Sequence, residues 1–496
     1  MTEATNVLSL SLISHTNAGK TTLARTLLRR DVGEVLDQAH VTDDAERFVM
    51  LEIEAASGGG GEGASAPAGR IVLWDTPGFG DSARLLHQLE GRDDPLGWML
   101  AQRWDRAADR PLLSSQRAVA NVMKHADAIL YLVNASEDPD EAGYVEPEMR
   151  ILGWIDRPVI VVLNQTGAPG DADARRRAEE RWRWHLASHA AVRDVISLDA
   201  FTRCWIQEGL LLLRLQALVP EAHRSLMTRL LERWRAENLA ILDRAMSSLA
   251  ALLWDAAADR EPVGDATLTR VARRRAVGLL TRRLAEATRA SLETLIDLYG
   301  LEGESAAWAS GALEDVSVPG DRPDPRRASV VGGVVGGALG GLAADLASMG
   351  MSLGGGAIAG ALLGGLGLGG LAWAYEQLGG PHEPQVVWSH AFLRRLVGDA
   401  LVRYLAVAHY GRGSGQYRER MEPALWRPLV DRALDGQIRK LTRQLERARS
   451  AADSDPDTRV DREEGVRELS SLLGIVVRRC LVELYPGAER YLEHGS

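Results

Sequence analysis

The stretch VLSLSLISHTNAGKTTLARTLL, residues 7–28, contains a strand, a loop and a helix in one line. Its apolar run at 7–13 predicts a buried strand, Asn and Gly give the loop, and TTLARTLL carries leucines at helical spacing. Inside it, SHTNAGKT at 14–21 satisfies G-x-x-x-x-G-K-[ST] at every defined position except the first, where Ser14 replaces Gly. A loop of this kind surrounds an anionic phosphate with successive backbone N–H groups and the positive end of the following helix. Ser14, Asn17, Ala18, Gly19, Lys20, Thr21 and Thr22 are therefore candidate phosphate-binding residues. Lys20 offers a mobile point charge to the β- and γ-phosphates, and the Thr21 hydroxyl a ligand to Mg²⁺. Lysine occurs only at positions 20, 124 and 440, so 55 of the 58 basic residues are arginine. The planar arginine fork is too large for this loop, which gives a lysine-poor chain a reason to keep lysine here. The bland alternative is an accidental Gly-Lys-Thr at a helix start.

Working outward, VMLEIE at 49–54 and RIVLW at 70–74 read as two strands joined by a Gly/Ser-rich hairpin loop. The second strand runs into Asp75-Thr76-Pro77-Gly78, a D-x-x-G at the end of a neighbouring strand. There Asp75 would hold the metal through water and the Gly78 N–H would sense the γ-phosphate. Further strands are expected at 128–133, 158–163 and 195–198, each separated from the next by helical sequence. That alternation predicts an α/β domain with a mostly parallel sheet over 1–210.

NAGKTTLARTLL and DTPGF together resemble the Era-like bacterial P-loop GTPases, relatives of the septin and tRNA-modification GTPases. The resemblance covers about 1–210 and implies GTP/GDP as ligand, Mg²⁺ as cofactor and GTP hydrolysis as the reaction. It places the switch I threonine at Thr42, a third metal contact. It places at Asn17 the asparagine that helps coordinate K⁺ in potassium-activated members. Lys20, Thr42 and Gly78 become the expected catalytic positions, and Thr21, Thr42 and Asp75 the metal ligands. Phe79 stands where many GTPases have a water-positioning glutamine, so intrinsic hydrolysis is expected to be slow unless K⁺, a homodimer partner or a protein activator compensates. The base-reading N-K-x-D is represented by Asn164-Gln165-Thr166-Gly167, which lacks the aspartate that accepts two hydrogen bonds from guanine; Asp171 or Asp173 is available from the following loop. Ser197-Leu198-Asp199-Ala200 occupies the place of the last motif. Asn164, Gln165 and Ser197 complete the expected nucleotide contacts.

Beyond 210 the strand signal stops and an all-α region is expected, resembling a poorly characterised C-terminal domain of some Era-like GTPases. Leu239, Leu242, Met246, Leu249 and Leu253 form a 3-4-3-4 seam on a helix over about 219–258, with another helix over 266–299. Leu434, Ile438, Leu441 and Leu445 repeat the spacing. The expected divisions are a helical region 211–315, a Pro-rich linker 316–328, a Gly-rich hydrophobic helical hairpin 329–375 and a helical region 376–496. Between Ser329 and Tyr375 the one charged residue is Asp345, and glycines recur four apart at Gly332/Gly336/Gly340 and Gly356/Gly360/Gly364. Each half is long enough to span a bilayer core, and small-xxx-small faces pack closely in lipid. Glycine's weak apolarity and the cost of Asp345 at depth weigh against insertion, and the alternative is a hairpin buried in a helical domain. Both readings stand, membrane lipid being the partner in the first.

Composition sets the outer bounds. A net charge of −10 excludes a general nucleic-acid binder, and no nucleic acid is indicated as partner. Cys204 and Cys480 have no CxxC spacing, which excludes a disulfide scaffold and suits a reducing compartment. The N-terminus has no basic n-region and does not read as a signal peptide. The expected location is the cytoplasm, at the inner face of the cytoplasmic membrane. His185 and His189, four apart, read as a surface helix rather than a zinc site. The arginines at 270, 273, 274, 275, 282 and 283 read as a solvated face or an anionic-surface contact. Within the same chemistry the alternative is a dynamin-like membrane-remodelling GTPase; outside it, a nucleotide-dependent scaffold with little hydrolysis.

Overall fold

The computed structural model describes residues 6–15, 18–29, 45–53, 69–105, 109–166, 172–263, 270–301, 375–378, 385–411, 423–451 and 459–492. The chain forms two compact units. The first comprises Met1–Leu239, His409–Gly415 and Val482–Ser496, and the second Ala240–Ala408 and Gln416–Leu481.

In the first unit, strands and helices alternate: β1 (Val7–Ser14), α1 (Lys20–Leu28), β2 (Glu46–Ile53), β3 (Gly69–Asp75), α2 (Ser82–Leu89), α3 (Pro95–Ala101), α4 (Arg110–His125), β4 (Ala128–Asn134), α5 (Val145–Gly153), β5 (Val159–Asn164), α6 (Ala172–His185), β6 (Val192–Ser197) and α7 (Trp205–Leu218). The six strands lie in the order β2-β3-β1-β4-β5-β6. All neighbours are parallel except β2, which pairs antiparallel with β3. β4 and β5 are almost wholly buried along their length, as strands covered on both faces must be. β2 exposes Glu46, Arg47 and Glu52, charges that blunt a sheet edge. β6 starts three residues before the apolar VISL, because Asp194 is held by Arg183 and by Arg214 at 2.7 Å. Those ion pairs make a polar strand start that hydrophobicity alone does not reveal.

In a parallel sheet, ligands bind beyond the carboxyl ends of the strands. β1, β3, β5 and β6 end at Ser14, Asp75, Asn164 and Ser197, so the topology collects the motif residues along one edge. Behind this edge, Arg29 caps α1 in a left-handed conformation (φ 53) and reaches Glu208 of α7 and Asn238.

Two late segments complete this unit. The Gly411 N–H donates to the Phe201 carbonyl at 3.2 Å. Tyr491, in the short helix Glu489–Leu492, sits against Gly209 of α7, where an added Cβ would lie 2.5 Å from the ring. Cys204 is buried beside it, and burial pushes its thiol up to about 12.

α8 (Glu221–Ala258) runs from the first unit into the second. Leu242, Met246, Leu249 and Leu253 are buried along it, with Leu239 half-buried. The second unit adds β7 (Arg260–Pro262), α9 (Arg270–Leu298), β8 (Tyr375–Leu378), β9 (Gln385–Trp388), α10 (His390–Ala408), α11 (Trp426–Asp435), α12 (Ile438–Ala451) and α13 (Arg459–Leu484). This region is mostly helical, as expected, with one addition. β7, β9 and β8 form a small antiparallel sheet whose strands of three and four residues are too short to display a period of two. The seam at Leu434 is also not one helix. α11 ends at Gly436, so Leu434 belongs to α11 and Ile438, Leu441 and Leu445 to α12. The linker 316–328 and the hairpin up to residue 374 lie outside the described residues. Among the described residues no helix is long and apolar enough to cross a membrane.

Candidate nucleotide site

The loop between β1 and α1 leaves its helix N-terminus available. Gly19 precedes α1 with φ 86, no side chain caps the helix, and its first turn holds no acid. Among the described residues the positive helix end is thus without a side-chain cap. Lys20 is buried, and its Nζ donates to the Ser14 Oγ at 3.0 Å. Serine in place of the first glycine thus supplies an acceptor that holds the ammonium at the mouth of the loop.

The Thr21 Oγ1 donates to the Asp75 Oδ2 at 2.7 Å, while Asp75 Oδ1 is buried with no hydrogen-bond partner among the described residues. Burial pulls the Lys20 ammonium down from its ordinary range, opposed by the charges of Asp75 and Glu148. Burial likewise pushes the Asp75 carboxyl up, opposed by Lys20 and the Thr21 hydroxyl. A hydroxyl oxygen and an orphaned carboxylate oxygen side by side suit a hard divalent cation that keeps waters and takes phosphate oxygens, so these residues fit Mg²⁺.

The loop after β3 is pinned from both sides. The Thr76 hydroxyl donates to the Leu12 carbonyl, the Phe79 N–H to the Ser14 carbonyl at 2.8 Å, and the Ser114 hydroxyl to the Gly78 carbonyl at 2.6 Å. Gly80 abuts Pro111 of α4 so closely that a Cβ would lie 2.5 Å away. Phe79 is fully buried in the core with Ile13, Leu85 and Leu89.

Asn164 joins the two ends of the site. Its Nδ2 donates to the Ala18 carbonyl and its Oδ1 accepts from the Ala200 N–H, each at 2.9 Å. Gln165 adopts φ 58 and places its amide near Gly19. The Ser197 N–H donates to Glu179 at 2.8 Å, and its hydroxyl is buried with no partner among the described residues. Thr166 donates to Asp199 at 3.2 Å, and Thr26 of α1 to the Ala200 carbonyl at 2.9 Å. Ser14, Ala18, Gly19, Lys20, Thr21 and Asp75 therefore meet at one end, and Asn164, Gln165 and the loop after Ser197 adjoin them. Thr22 lies half-buried in the first turn of α1. Asn17, Thr42, Gly167 and Asp171 lie outside the described residues. Asp173 is exposed on α6 and pairs with Arg176 at 2.9 Å.

Sequence reasoning passed over His15 and Glu148, which meet beneath the phosphate loop, Nδ1 to Oε1, at 2.7 Å. They are far apart in the chain, and neither stands in a motif. His185 and His189 pair with different acids, Asp140 at 3.2 Å and Glu146 at 2.8 Å. Among the described residues no cluster of His, Cys, Asp or Glu is suited to a metal. Within the arginine run, Arg283 is bound by Asp259 and Glu261, two acids across from the helix that the local sequence count leaves out.

Residues 188–471, more than half of the chain, match the family model described as domain of unknown function DUF3482. The chain belongs to the DUF3482 family. Residues 9–165 match the 50S ribosome-binding GTPase model, so the family's helical region here follows a P-loop GTPase domain. A search of the curated proteins gives no match. Among solved structures, Era bound to MgGDPNP and a 16S ribosomal RNA segment is similar at 18% identity and TM-score 0.30, over 44% of this chain and 58% of that one. An Aquifex aeolicus Era variant bound to GDP·AlF₄⁻ gives the same values. A bacterial dynamin of an oligomerised pair aligns over 94% of this chain and 77% of its own, at 10% identity and TM-score 0.24. The chain spans little more than half the length of the Era structures it matches.

Proposed function

We propose that this protein binds GTP with Mg²⁺, hydrolyses it slowly, and couples the nucleotide state to its helical region. The observation that carries the reading is the pairing of a buried Lys20 ammonium, held by Ser14, with the Thr21–Asp75 pair, whose second carboxylate oxygen has no partner among the described residues. An anionic phosphate and a divalent cation would relieve both burdens at once. When bound, Mg²⁺ would be held by Thr21 and Asp75, with Thr42 as the expected third contact, and would neutralise phosphate charge. Lys20 and the uncapped N-terminus of α1 bind the β- and γ-phosphates. Gly78, on a loop clamped to Ser14 and to α4, would report the γ-phosphate. Asn164 keeps the phosphate end and the base end in register, with Gln165 and Ser197 beside the base.

The fully buried Phe79 side chain cannot orient a water molecule, which supports a slow intrinsic rate and leaves room for K⁺ through Asn17, a second copy or a protein activator. The same observation favours a second reading, a nucleotide-dependent scaffold with very little turnover. We further assign 1–210 as the GTPase module and 211–496 as the effector region, whose apolar, glycine-patterned stretch 329–375 would contact membrane lipid at the cytoplasmic face. The composition of that stretch is what supports the membrane contact. The test is turnover by purified protein, GTP against ATP, in Na⁺ and in K⁺, with and without liposomes. GTP-selective turnover supports the enzyme; tight GTP binding without turnover supports the scaffold; no guanine-nucleotide binding overturns both.

A further inference from the structure

Glu148, on α5, is fully buried, and the nucleotide reading gives it no task. Its Oε1 accepts from His15 Nδ1 and its Oε2 from the Tyr131 hydroxyl, both at 2.7 Å. Burial drives the carboxyl upward, opposed by the bonds from His15 and Tyr131. The His15 ring is also stacked on Tyr144, with centroids 4.4 Å apart.

The two donors come from two parts of the fold. His15 is the second residue of the phosphate loop and forms a bridge with Phe79, in the loop that carries Gly78. Tyr131 lies on β4. A buried carboxylate is a costly way to join helix to sheet, and an apolar side chain of similar volume would pack there with less penalty. What a caged carboxylate adds is fixed geometry among its donors. Lys20 lies close enough to feel its charge.

We propose that Glu148 is a positioning residue for hydrolysis, tying the phosphate loop through His15 to β4 through Tyr131. The bridge from His15 to Phe79 carries this anchorage to the loop that holds Gly78, so the two loops that face the phosphates move as one body. This rests on the GTPase reading above. With Phe79 unable to place water, the rate depends on how firmly these loops are held.

The test uses the full-length protein and four variants, His15→Ala, His15→Asn, Glu148→Gln and the double variant His15→Ala/Glu148→Gln. Loss of a hydrogen bond to a charged group is expected to lower kcat about tenfold in His15→Ala and in Glu148→Gln, with KM and GDP affinity changed less than about twofold. The double variant should be no slower than the slower single, since both break one network. His15→Asn keeps an N–H donor near the Nδ1 position and should recover activity to within about threefold of wild type. A further variant, Tyr131→Phe, keeps the ring but removes the other donor to Glu148, and should lower kcat as the His15→Ala and Glu148→Gln variants do. For a wild type that binds without turnover, the readout is the affinity ratio of a non-hydrolysable GTP analogue to GDP, which should move toward one. Additive losses, no recovery with His15→Asn, or kcat, the affinity ratio and GDP binding all left as in wild type would overturn the proposal. A wild type that binds no guanine nucleotide would overturn the underlying reading as well.

Discussion

Replacing Asn164 with alanine removes both hydrogen bonds that join the phosphate loop to the loop after β6, each 2.9 Å long and buried. The Ala18 carbonyl and the Ala200 N–H lose their partner. A buried polar group left unpaired costs about 1–3 kcal/mol, so the two set a scale of about 2–6 kcal/mol. The lower half of that range is expected. The Ala200 carbonyl stays anchored by the Thr26 hydroxyl and the Leu198 N–H by the Leu163 carbonyl, so the loop need not detach. A loss of about 2–3 kcal/mol should then appear as a lower urea midpoint at unchanged slope, and GDP affinity should fall at least about tenfold as the base end drifts. Urea titration read by tryptophan fluorescence and titration with a fluorescent GDP analogue measure the two. Asn164→Asp sharpens the test: it still accepts from Ala200 but sets an oxygen against the Ala18 carbonyl, and should be worse than alanine. A loss below about 0.5 kcal/mol with GDP affinity held within twofold would refute the bridging argument.

Lys20→Ala should abolish GTP binding in a titration while far-UV circular dichroism stays native, because Thr21 continues to hold Asp75. Asp75 is pushed above the ordinary carboxylate range by burial, so protons should compete with Mg²⁺ at a higher pH than usual. Mg²⁺-dependent affinity should fall as the pH drops through that raised value, and Asp75→Asn should abolish the metal dependence. Stability without ligand runs the other way: the folded form binds this proton more tightly, so the contribution is present at low pH and lost as pH rises through the raised pKa. Gly209→Ala should cost about 1–3 kcal/mol by driving a Cβ into the Tyr491 ring, measured as a thermal-midpoint drop that Tyr491→Ala partly relieves. Deleting 329–375 should release the protein from liposomes in a flotation assay; a full-length protein that never floats, with a deletion that aggregates, would make this stretch internal core.

The α/β half was legible because its strands are continuous apolar runs and its chemistry sits in short, ordered motifs. Lys20, Thr21, Asp75 and Asn164 each announce themselves by their neighbours in sequence. The small sheet was not legible, since REP and YEQL carry no periodicity of their own and exist because β9 lies between them. The break at Gly436 was hidden by a leucine spacing that two successive helices keep in phase. His15 and Glu148 escaped for another reason: a lone histidine inside a phosphate loop and a glutamate in an ordinary helix signal nothing until the fold joins them.

The seating of Tyr491 on Gly209 has a consequence in time. Roughly 280 residues must be translated after α7 before the segment that covers it exists, which at ~5–20 residues per second is on the order of half a minute. Through that interval Trp205, Gly209 and Cys204 face no ring, and for its earlier part the loop at Phe201 also lacks its strap from Gly411. The nascent nucleotide-binding half therefore waits, incomplete, until Tyr491 has been made. A ribosome that stalls in the helical region would leave behind a chain with an uncovered apolar notch, a natural foothold for a chaperone or a protease.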